Sequence, residues 1–213
     1  MENSDSQRKV IKGTTTIGMV CSDGVILGAD SRATLMPNVD IGSTDTVKLF
    51  KINDTVAITI AGYVGDAQYL VKLLKAQNDM YSMNESKGLT PTSLSSLLAL
   101  IMQENKYMPY MVEMIVGGIT YDNPEIFIVD PSGASLKYSD FYSSGSGSSY
   151  SIGYLENVYE KGKSTQEMIK HVAKALKIAM KRNAATGDNM RIAVITKAGY
   201  KEYYGPEAEK FLK

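Results

Sequence analysis

The stretch that decides the fold is residues 13–30, which read GTTTIGMVCSDGVILGAD. It contains two runs rich in β-branched and apolar residues, Thr14–Val20 and Val25–Asp30. Between them lies Ser22-Asp23-Gly24, and these residue types favour a tight turn between two strands. The stretch therefore predicts a β-hairpin. The hairpin begins where a polar N-terminal segment, residues 1–12, gives way to the body of the chain.

The rest of the chain alternates between strand patterns and helix patterns. A second strand pair is predicted at Lys48–Ile52 and Val56–Ala61. Apolar residues then recur at helical spacing in residues 67–81 and after Thr90-Pro91, where proline suits the first turn of a helix. Three strands, two helices and a last strand pair complete the pattern: Met111–Thr120, Ile126–Val129, Ala134–Tyr138, 149–160, 165–183, Arg191–Thr196 and Tyr200–Tyr203. Blocks of strands that alternate with helix pairs favour an α+β layered sandwich over a parallel sheet.

The composition excludes several kinds of function. The 213 residues suit one domain, and 23 Lys and Arg balance 23 Asp and Glu, so the chain lacks the basic surface that nucleic acid or an anionic membrane needs. No run approaches the roughly 20 apolar residues of a membrane span, and the polar start lacks the apolar core of a signal peptide. We therefore expect a cytoplasmic protein. Cys21 and His171 are the only cysteine and histidine, so we expect no disulfide framework, no metal site and no cofactor.

The hydroxyl of Thr14 is the candidate nucleophile. His171 lies on the polar side of a predicted helix and is interpreted as a surface histidine, which disfavours serine or cysteine chemistry that depends on it. Cleavage of the Gly13–Thr14 bond would give Thr14 a free α-amine, whose pKa of about 8 suits a general base better than a lysine at about 10.4. One residue would then supply both nucleophile and base. The alternative is that the threonine run is ordinary strand sequence.

A set of motifs follows one another along the chain. They are Gly13-Thr14-Thr15-Thr16-Ile17-Gly18, Asp30-Ser31-Arg32, Lys48-Leu49-Phe50, Ile60-Ala61-Gly62-Tyr63-Val64-Gly65-Asp66-Ala67-Gln68, Tyr107-Met108-Pro109-Tyr110-Met111-Val112, Val116-Gly117-Gly118, Gly145-Ser146-Gly147-Ser148, Tyr154-Leu155-Glu156 and Ile192-Ala193-Val194-Ile195-Thr196. Together they resemble the β subunits of the proteasome, in the archaeal style, over nearly all of residues 13–200. The resemblance implies the fold of N-terminal-nucleophile (Ntn) hydrolases, a four-layer αββα sandwich of two antiparallel sheets flanked by helix pairs. It also implies that residues 1–13 are a propeptide removed autocatalytically and that residues 14–213 form a single catalytic domain.

The resemblance implies a role for each residue at the site. Thr14 matches the nucleophile, which becomes exposed when the bond to Gly13 is cut. Lys48 matches the buried lysine whose ammonium lowers the pKa of the nucleophile and its amine. Asp30 matches the carboxylate that pairs with this lysine, and the Gly62 N–H matches the donor that stabilises the oxyanion.

Supporting residues follow from the same resemblance. Arg32 matches a position that supports the site through its backbone, and Ser146 supplies a hydroxyl near the threonine amine. The S1 pocket would be apolar and medium-sized, lined by Ala33, Thr46, Ile60 and Val64. Each assignment has a plainer alternative when it is taken singly. Asp30 and Lys48 could form an ordinary ion pair, Ser146 could belong to a loose loop, and Gly62 could only allow a tight passage from strand to helix.

The chain departs from the family pattern in two places. The spacing of 18 residues from Asp30 to Lys48 is slightly longer than is usual in the family. A longer loop at Pro37–Ser43 would absorb the difference, and Lys51 is retained as a rival for the buried lysine.

The second departure concerns Asn183 and Thr186, where the family usually has aspartate and serine. Thr186 keeps its hydroxyl, whereas Asn183 loses a negative charge beside the proposed amine and lysine. This loss makes protonation of the amine less favourable and weakens the orienting network. We therefore predict slower self-cleavage or turnover than with aspartate, and unchanged rates in Asn183→Asp would contradict this prediction.

The sequence thus predicts a threonine endopeptidase that hydrolyses peptide bonds of unfolded proteins inside a barrel. The resemblance implies homo-heptameric β rings stacked with proteasome α-subunit rings as α7β7β7α7, with an ATP-dependent unfoldase outside. One alternative is a non-catalytic structural β-ring subunit that retains its leader, which a threonine-directed covalent inhibitor would leave unlabelled. Another is a different Ntn amidohydrolase, such as the simpler bacterial two-ring protease or a small-molecule amidase. A requirement for an α partner would distinguish a proteasome subunit from these other Ntn hydrolases.

Overall fold

The described part of the chain contains thirteen strands and five α-helices in the computed structural model, which describes residues 11–35 and 40–213. The strands are β1 (Ile11–Lys12), β2 (Thr16–Val20), β3 (Gly24–Asp30), β4 (Ala33–Leu35), β5 (Asp40–Ser43), β6 (Leu49–Lys51), β7 (Val56–Gly62), β8 (Val112–Thr120), β9 (Asn123–Val129), β10 (Ser135–Tyr138), β11 (Phe141–Ser144), β12 (Met190–Thr196) and β13 (Gly199–Tyr204). The helices are α1 (Val64–Glu85), α2 (Pro91–Glu104), α3 (Ser148–Val158), α4 (Thr165–Arg182) and α5 (Pro206–Glu209), followed by a short 3₁₀ turn, Lys210–Leu212.

Two five-stranded sheets hold most of the strands. One sheet has the order β10-β9-β8-β7-β6, and the other has the order β11-β2-β3-β12-β13. The predicted hairpin forms β2 and β3 near the centre of the second sheet. A small third sheet has the order β1-β4-β5. Every described strand pair is antiparallel, which confirms the predicted α+β class with antiparallel sheets.

Side chains that alternate along the strands join three separate apolar clusters. In β8, Val116 belongs to a cluster that includes residues of α1 and α2, whereas the preceding Ile115 belongs to a cluster built from strands of both large sheets. In β3, Ile26 packs with residues of α3 and α4, whereas Leu27 joins the cluster between strands. Successive residues of a strand point to opposite faces, so each large sheet buries both faces. Burying one such side chain contributes about 1.5–3 kcal/mol.

Helix boundaries follow the start signals in the sequence. Thr90 caps α2 by accepting a hydrogen bond from the Ser93 N–H, and Pro91 is the first helical residue. In α4, Ser164 and Glu167 form a capping box, in which each side chain accepts from the other residue's backbone N–H. These caps satisfy N–H groups that have no partner inside the helix, and the predicted helices after Thr90 and at 165–183 are confirmed.

Several short strands were not predicted from the sequence pattern. The expected loop Pro37–Ser43 lies partly outside the described residues, and its described part, Asp40–Ser43, forms β5 paired with β4. The end of the polar N-terminal segment forms β1, which pairs with β4, whereas residues 1–10 lie outside the described residues. β11 was missed because it runs into a Ser- and Gly-rich stretch. Its Ser143 hydroxyl donates to the Thr16 carbonyl and secures it beside β2.

Candidate active site

Thr14 lies in the extended segment just ahead of β2. The Thr14 hydroxyl donates a 2.5 Å hydrogen bond to the Gly13 carbonyl oxygen, and the Thr14 N–H donates to Ser146 Oγ at 3.4 Å. Gly13 has a φ of +127°, and a Cβ at this position would lie 2.3 Å from Thr34 Oγ1. Only glycine therefore fits immediately before Thr14 in this backbone conformation.

A buried ion pair lies directly behind Thr14. Lys48 Nζ is 2.9 Å from Asp30 Oδ1, and both side chains are at most 3% exposed. Lys48 also donates to the Gly13 carbonyl oxygen at 2.7 Å and to the Arg32 carbonyl oxygen. Burial lowers the pKa of Lys48, and the negative charge of Asp30 opposes that fall. The lysine thus connects the carboxylate to the carbonyl group next to the candidate nucleophile.

Asp30 is held by backbone donors as well as by Lys48. Its two carboxylate oxygens accept from the N–H groups of Thr15 at 2.9 Å, Arg32 at 3.1 Å and Gly187 at 2.9 Å. Burial raises the pKa of the Asp30 carboxyl, whereas the charge of Lys48 and these hydrogen bonds oppose that rise. Such a set of donors fixes the orientation of the carboxylate and, through it, the position of the lysine.

The rival lysine, Lys51, lies elsewhere. Its side chain is 45% exposed and pairs with Asp54 at 2.6 Å. Its ammonium also lies 5.2 Å from the centre of the Tyr200 ring. Lys48 is therefore the lysine that this structure places in the buried position beside Thr14.

Arg32 contacts Asp30 and Lys48 through its backbone. Its N–H donates to Asp30 and its carbonyl accepts from Lys48. The Arg32 guanidinium instead pairs with Asp188 at 3.0 Å and donates to the Ala184 carbonyl oxygen at 2.9 Å. Sequence reasoning missed Asp188, whose positive φ of 66° marks a tight backbone turn.

Asn183 links two segments that meet beside Thr14. Its Oδ1 accepts from Ser146 Oγ at 3.0 Å, from Thr186 Oγ1 at 3.1 Å and from the Ala185 N–H at 3.0 Å. Its Nδ2 donates to the Ser146 carbonyl oxygen at 3.0 Å. Thr186 Oγ1 is also 2.8 Å from Thr15 Oγ1. Both the oxygen and the nitrogen of the Asn183 amide therefore form hydrogen bonds. An aspartate in the same conformation would place an oxygen, which cannot donate, against the Ser146 carbonyl oxygen.

Gly62 ends β7 next to Thr14. It has a φ of +134°, and a Cβ here would lie 2.3 Å from the Met111 carbonyl oxygen. Because side chains rarely adopt this backbone conformation, the position requires glycine. Gly62 lines both of the cavities that adjoin Thr14, so its peptide group borders the space in which a substrate carbonyl would lie.

The smaller cavity contains three of the four predicted pocket residues. It is lined by Gly13, Thr14, Ala33, Lys48, Ile60, Gly62 and Val64. The fourth predicted residue, Thr46, is not part of this lining, and its N–H donates to the Ser31 carbonyl oxygen at 2.8 Å. The free volume is about 10 Å³, so the pocket is nearly closed in the uncleaved chain, where a medium-sized one was expected.

The larger cavity was not predicted from the sequence. Its free volume is about 260 Å³, and it is lined by Gly13, Thr14, Ala61, Gly62, Met111, Val112, Glu113, Pro131, Ser144, Gly145 and Ser146. Most of these residues come from the ends of β7 and β8, from the end of β11 and the segment that follows it, and from the segment around Thr14. Glu113 brings a carboxylate into this lining, and nothing in its local sequence indicates a site.

Within residues 11–35 and 40–213, no group of three or more His, Cys, Asp and Glu side chains is arranged to bind a metal ion. Over the same ranges, none of the helices combines the length and the apolar character needed to cross a bilayer.

Comparison with known proteins gives consistent matches along the chain. The family model described as "Proteasome subunit" matches residues 10–195. "Proteasome subunit beta" of Methanocaldococcus fervens is 41% identical over 204 residues, which cover 95% of this chain and 90% of the relative. The protein with the same description from Ferroglobus placidus is 37% identical, with 96% and 97% of the two chains covered. That from Methanococcus maripaludis strain C7 is 38% identical over 214 residues, with 100% and 97% covered.

Proposed function

Because the chain belongs to the proteasome subunit family and matches its β subunits over nearly its whole length, we propose that it is a catalytic β subunit. Its activity is that of a threonine endopeptidase that degrades unfolded proteins. The observation that carries this proposal is the position of the Thr14 hydroxyl, 2.5 Å from the Gly13 carbonyl oxygen, which also accepts from the buried Lys48.

The first reaction is removal of residues 1–13. Thr14 Oγ1 attacks the Gly13 carbonyl carbon, the Oγ1 proton passes to the Thr14 nitrogen, and the C–N bond breaks. This shift leaves Gly13 as an ester on Thr14 and frees the α-amine. Water then hydrolyses the ester, which releases the Gly13 carboxylate and restores the hydroxyl. The 2.7 Å hydrogen bond from Lys48 supports stabilisation of the negative charge that develops on the carbonyl oxygen.

The second reaction is peptide hydrolysis at the same hydroxyl. The α-amine accepts the Thr14 hydroxyl proton while Oγ1 attacks the scissile carbonyl, and the Gly62 N–H donates to the resulting oxyanion. Collapse of this intermediate breaks the C–N bond, and the proton leaves with the departing amine. Water activated by the α-amine then hydrolyses the acyl-enzyme ester. The ammonium of Lys48 favours the deprotonated forms of the hydroxyl and the amine throughout.

Supporting groups position these reactants. Ser146 Oγ accepts from the Thr14 nitrogen and donates toward Asn183, so it holds the future amine in place. We assign the smaller cavity, with Ala33, Ile60 and Val64, to the substrate side chain before the scissile bond. These three apolar side chains give a bias toward apolar residues at that position, and we expect removal of Gly13 to open the cavity to substrate.

We propose the four-layer αββα order for the single domain of residues 14–213. Support comes from the three apolar clusters, of which one joins strands of both large sheets without any helical residue. The other two join one helix pair each to one sheet. The proposed assembly is a barrel of β rings stacked with α-subunit rings, with an ATP-dependent unfoldase outside it, in the cytoplasm. Exposed apolar side chains on and after the first helix pair, Met83, Tyr107 and Met108, suit burial in such protein interfaces.

The test is the intact mass and N-terminal sequence of the chain after co-assembly with the α partner. We expect a chain that begins at Thr14 and that a threonine-directed covalent inhibitor labels. A Thr14→Ala chain should assemble in the same way but keep residues 1–13. A wild-type chain that still begins at Met1 in a complete barrel would instead identify a structural subunit.

A further inference from the structure

The larger cavity at Thr14 carries one ionisable side chain among the described residues that line it, Glu113. We propose that Glu113 gives the leaving-group side of the cleft a preference for substrates with a cationic side chain directly after the scissile bond. This inference rests on the proposed peptidase function and adds to it a determinant of sequence preference.

The path of the leader separates the two sides of the cleft. Ile11 and Lys12, which directly precede Gly13, form β1, and β1 pairs with β4 so that Lys12 lies opposite Thr34. The acyl side of a substrate therefore runs along β4, next to the smaller cavity that Ala33 lines. The larger cavity contains no residue of β4 and is bounded by β8 and by Ser144 to Ser146. It is thus the space that remains for the leaving-group side.

The position of Glu113 is fixed by the strand register and by two donors. It lies opposite Ala61, one residue from the pair that Gly62 forms with Val112. Its carboxylate accepts from Ser144 Oγ at 2.5 Å and from the Tyr142 hydroxyl at 2.8 Å. Burial and this hydrogen bond raise the pKa of Tyr142, so the phenol remains a donor. Both donors are neutral hydroxyls, so they orient the carboxylate without supplying a counter-charge.

The charge of Glu113 has no cationic partner within the described residues. Other buried or half-buried carboxylates are paired: Asp30 with Lys48, Glu125 with Lys137, Asp188 with Arg32 and Glu202 with Arg191. No such ion pair is formed by Glu113 in residues 11–35 and 40–213. An unpaired carboxylate in a partly enclosed cleft attracts a lysine or arginine of the substrate and repels an acidic residue.

The test uses the assembled barrel and internally quenched peptides that differ only at the residue after the scissile bond. The three peptides carry leucine before the bond and lysine, norleucine or glutamate after it. We expect the ratio of kcat/KM for the lysine and glutamate peptides to fall by up to about fivefold in Glu113→Gln, which is the upper end for an exposed charge pair. Glu113→Asp keeps the charge and should retain most of the ratio. Glu104→Gln removes the same charge at the exposed end of α2 and should leave the ratio unchanged.

A second measurement needs no variant. Raising the ionic strength from about 0.05 to about 0.5 M should lower the ratio in the wild-type barrel, because salt screens such an interaction. Equal ratios in wild type and Glu113→Gln, or a wild-type ratio near one at low salt, would overturn the inference while leaving the peptidase function intact. Failure to cleave any of the three peptides, with the leader retained, would contradict the proposed function itself.

Discussion

Replacing Lys48 by methionine removes a buried charge and three hydrogen bonds while keeping a side chain of similar length. The lost bonds join Nζ to Asp30 Oδ1, to the Gly13 carbonyl oxygen and to the Arg32 carbonyl oxygen. Asp30 is left buried with its three backbone N–H donors but without a counter-charge. The change therefore acts on folding stability and on leader cleavage at the same time.

The expected size of both effects follows from the geometry. Two unit charges 2.9 Å apart attract by about 6 kcal/mol at an effective dielectric constant of about 20. Part of this attraction offsets desolvation, and breaking a buried pair by removing one partner costs about 3–5 kcal/mol. That is a large part of a typical folding free energy of about 5–15 kcal/mol. Loss of the donor to Gly13 should slow leader cleavage by about 100- to 1,000-fold.

Urea unfolding measures the change in folding stability. It is best done in a Thr14→Ala background, so that the chains with and without Lys48→Met both keep residues 1–13. Intact mass against time measures leader cleavage in chains that retain Thr14. Adding Asp30→Asn completes a double-mutant cycle, in which the double variant should be less destabilised than the sum of the single variants. Lys51→Met is the matched control, because the Lys51 side chain is 45% exposed. We expect it to lose less than about 0.5 kcal/mol of unfolding free energy and to cleave its leader at the normal rate.

The reasoning is refuted if Lys48→Met loses less than about 1 kcal/mol and still cuts its leader within about threefold of the wild-type rate. If Lys48→Met loses unfolding free energy but cleaves its leader at the normal rate, the ion pair has only a structural role. Such a result would also remove Lys48 from the proposed chemistry.

Two further predictions concern Asn183 and the cap of α4. Asn183→Asp should speed leader cleavage, followed by intact mass, because it restores a negative charge beside Thr14. The variant should also lose about 1 kcal/mol of unfolding free energy, measured with urea, because the donor to the Ser146 carbonyl is lost. Equal rates of leader cleavage in the variant and the wild type would count against the first of these two expectations. Hydrogen bonds from Ser164 and the nearby ammonium of Lys163 lower the pKa of Glu167 from 4.5 to about 2. A carboxyl group with a depressed pKa adds stability above pH 4.5, and this stability is lost as the pH falls through about 2. Glu167→Gln should therefore lose less free energy of unfolding than the wild type over this pH range, as measured by urea unfolding. An equal loss in both proteins would contradict this account.

Local patterns predicted the long elements because their information is local. The spacing of apolar residues in 67–81 and 165–183 and the caps at Thr90 and Ser164 are properties of adjacent residues, and α1, α2 and α4 form there. The turn at Ser22-Asp23-Gly24 likewise joins two neighbouring strands. Short strands such as β1, β5 and β11 have two to four residues, too few for a period to be recognised.

The candidate site combines both kinds of information. Family motifs pointed to Thr14, Asp30 and Lys48, and the structure places them in one hydrogen-bonded group. Glu113 could not be found in this way, because its donors Tyr142 and Ser144 come from a strand of the other large sheet.

The sequence by itself determined the α+β class, the hairpin at residues 13–30 and the residue types that could react, since each depends on neighbouring residues. Only the tertiary structure decided that Lys48 rather than Lys51 is buried, that both ends of the Asn183 amide are bonded and that Glu113 faces the cleft. The physical reason is that these contacts join strands far apart in the chain. Such strands meet because two sheets bury apolar faces against each other, a choice that no local pattern records.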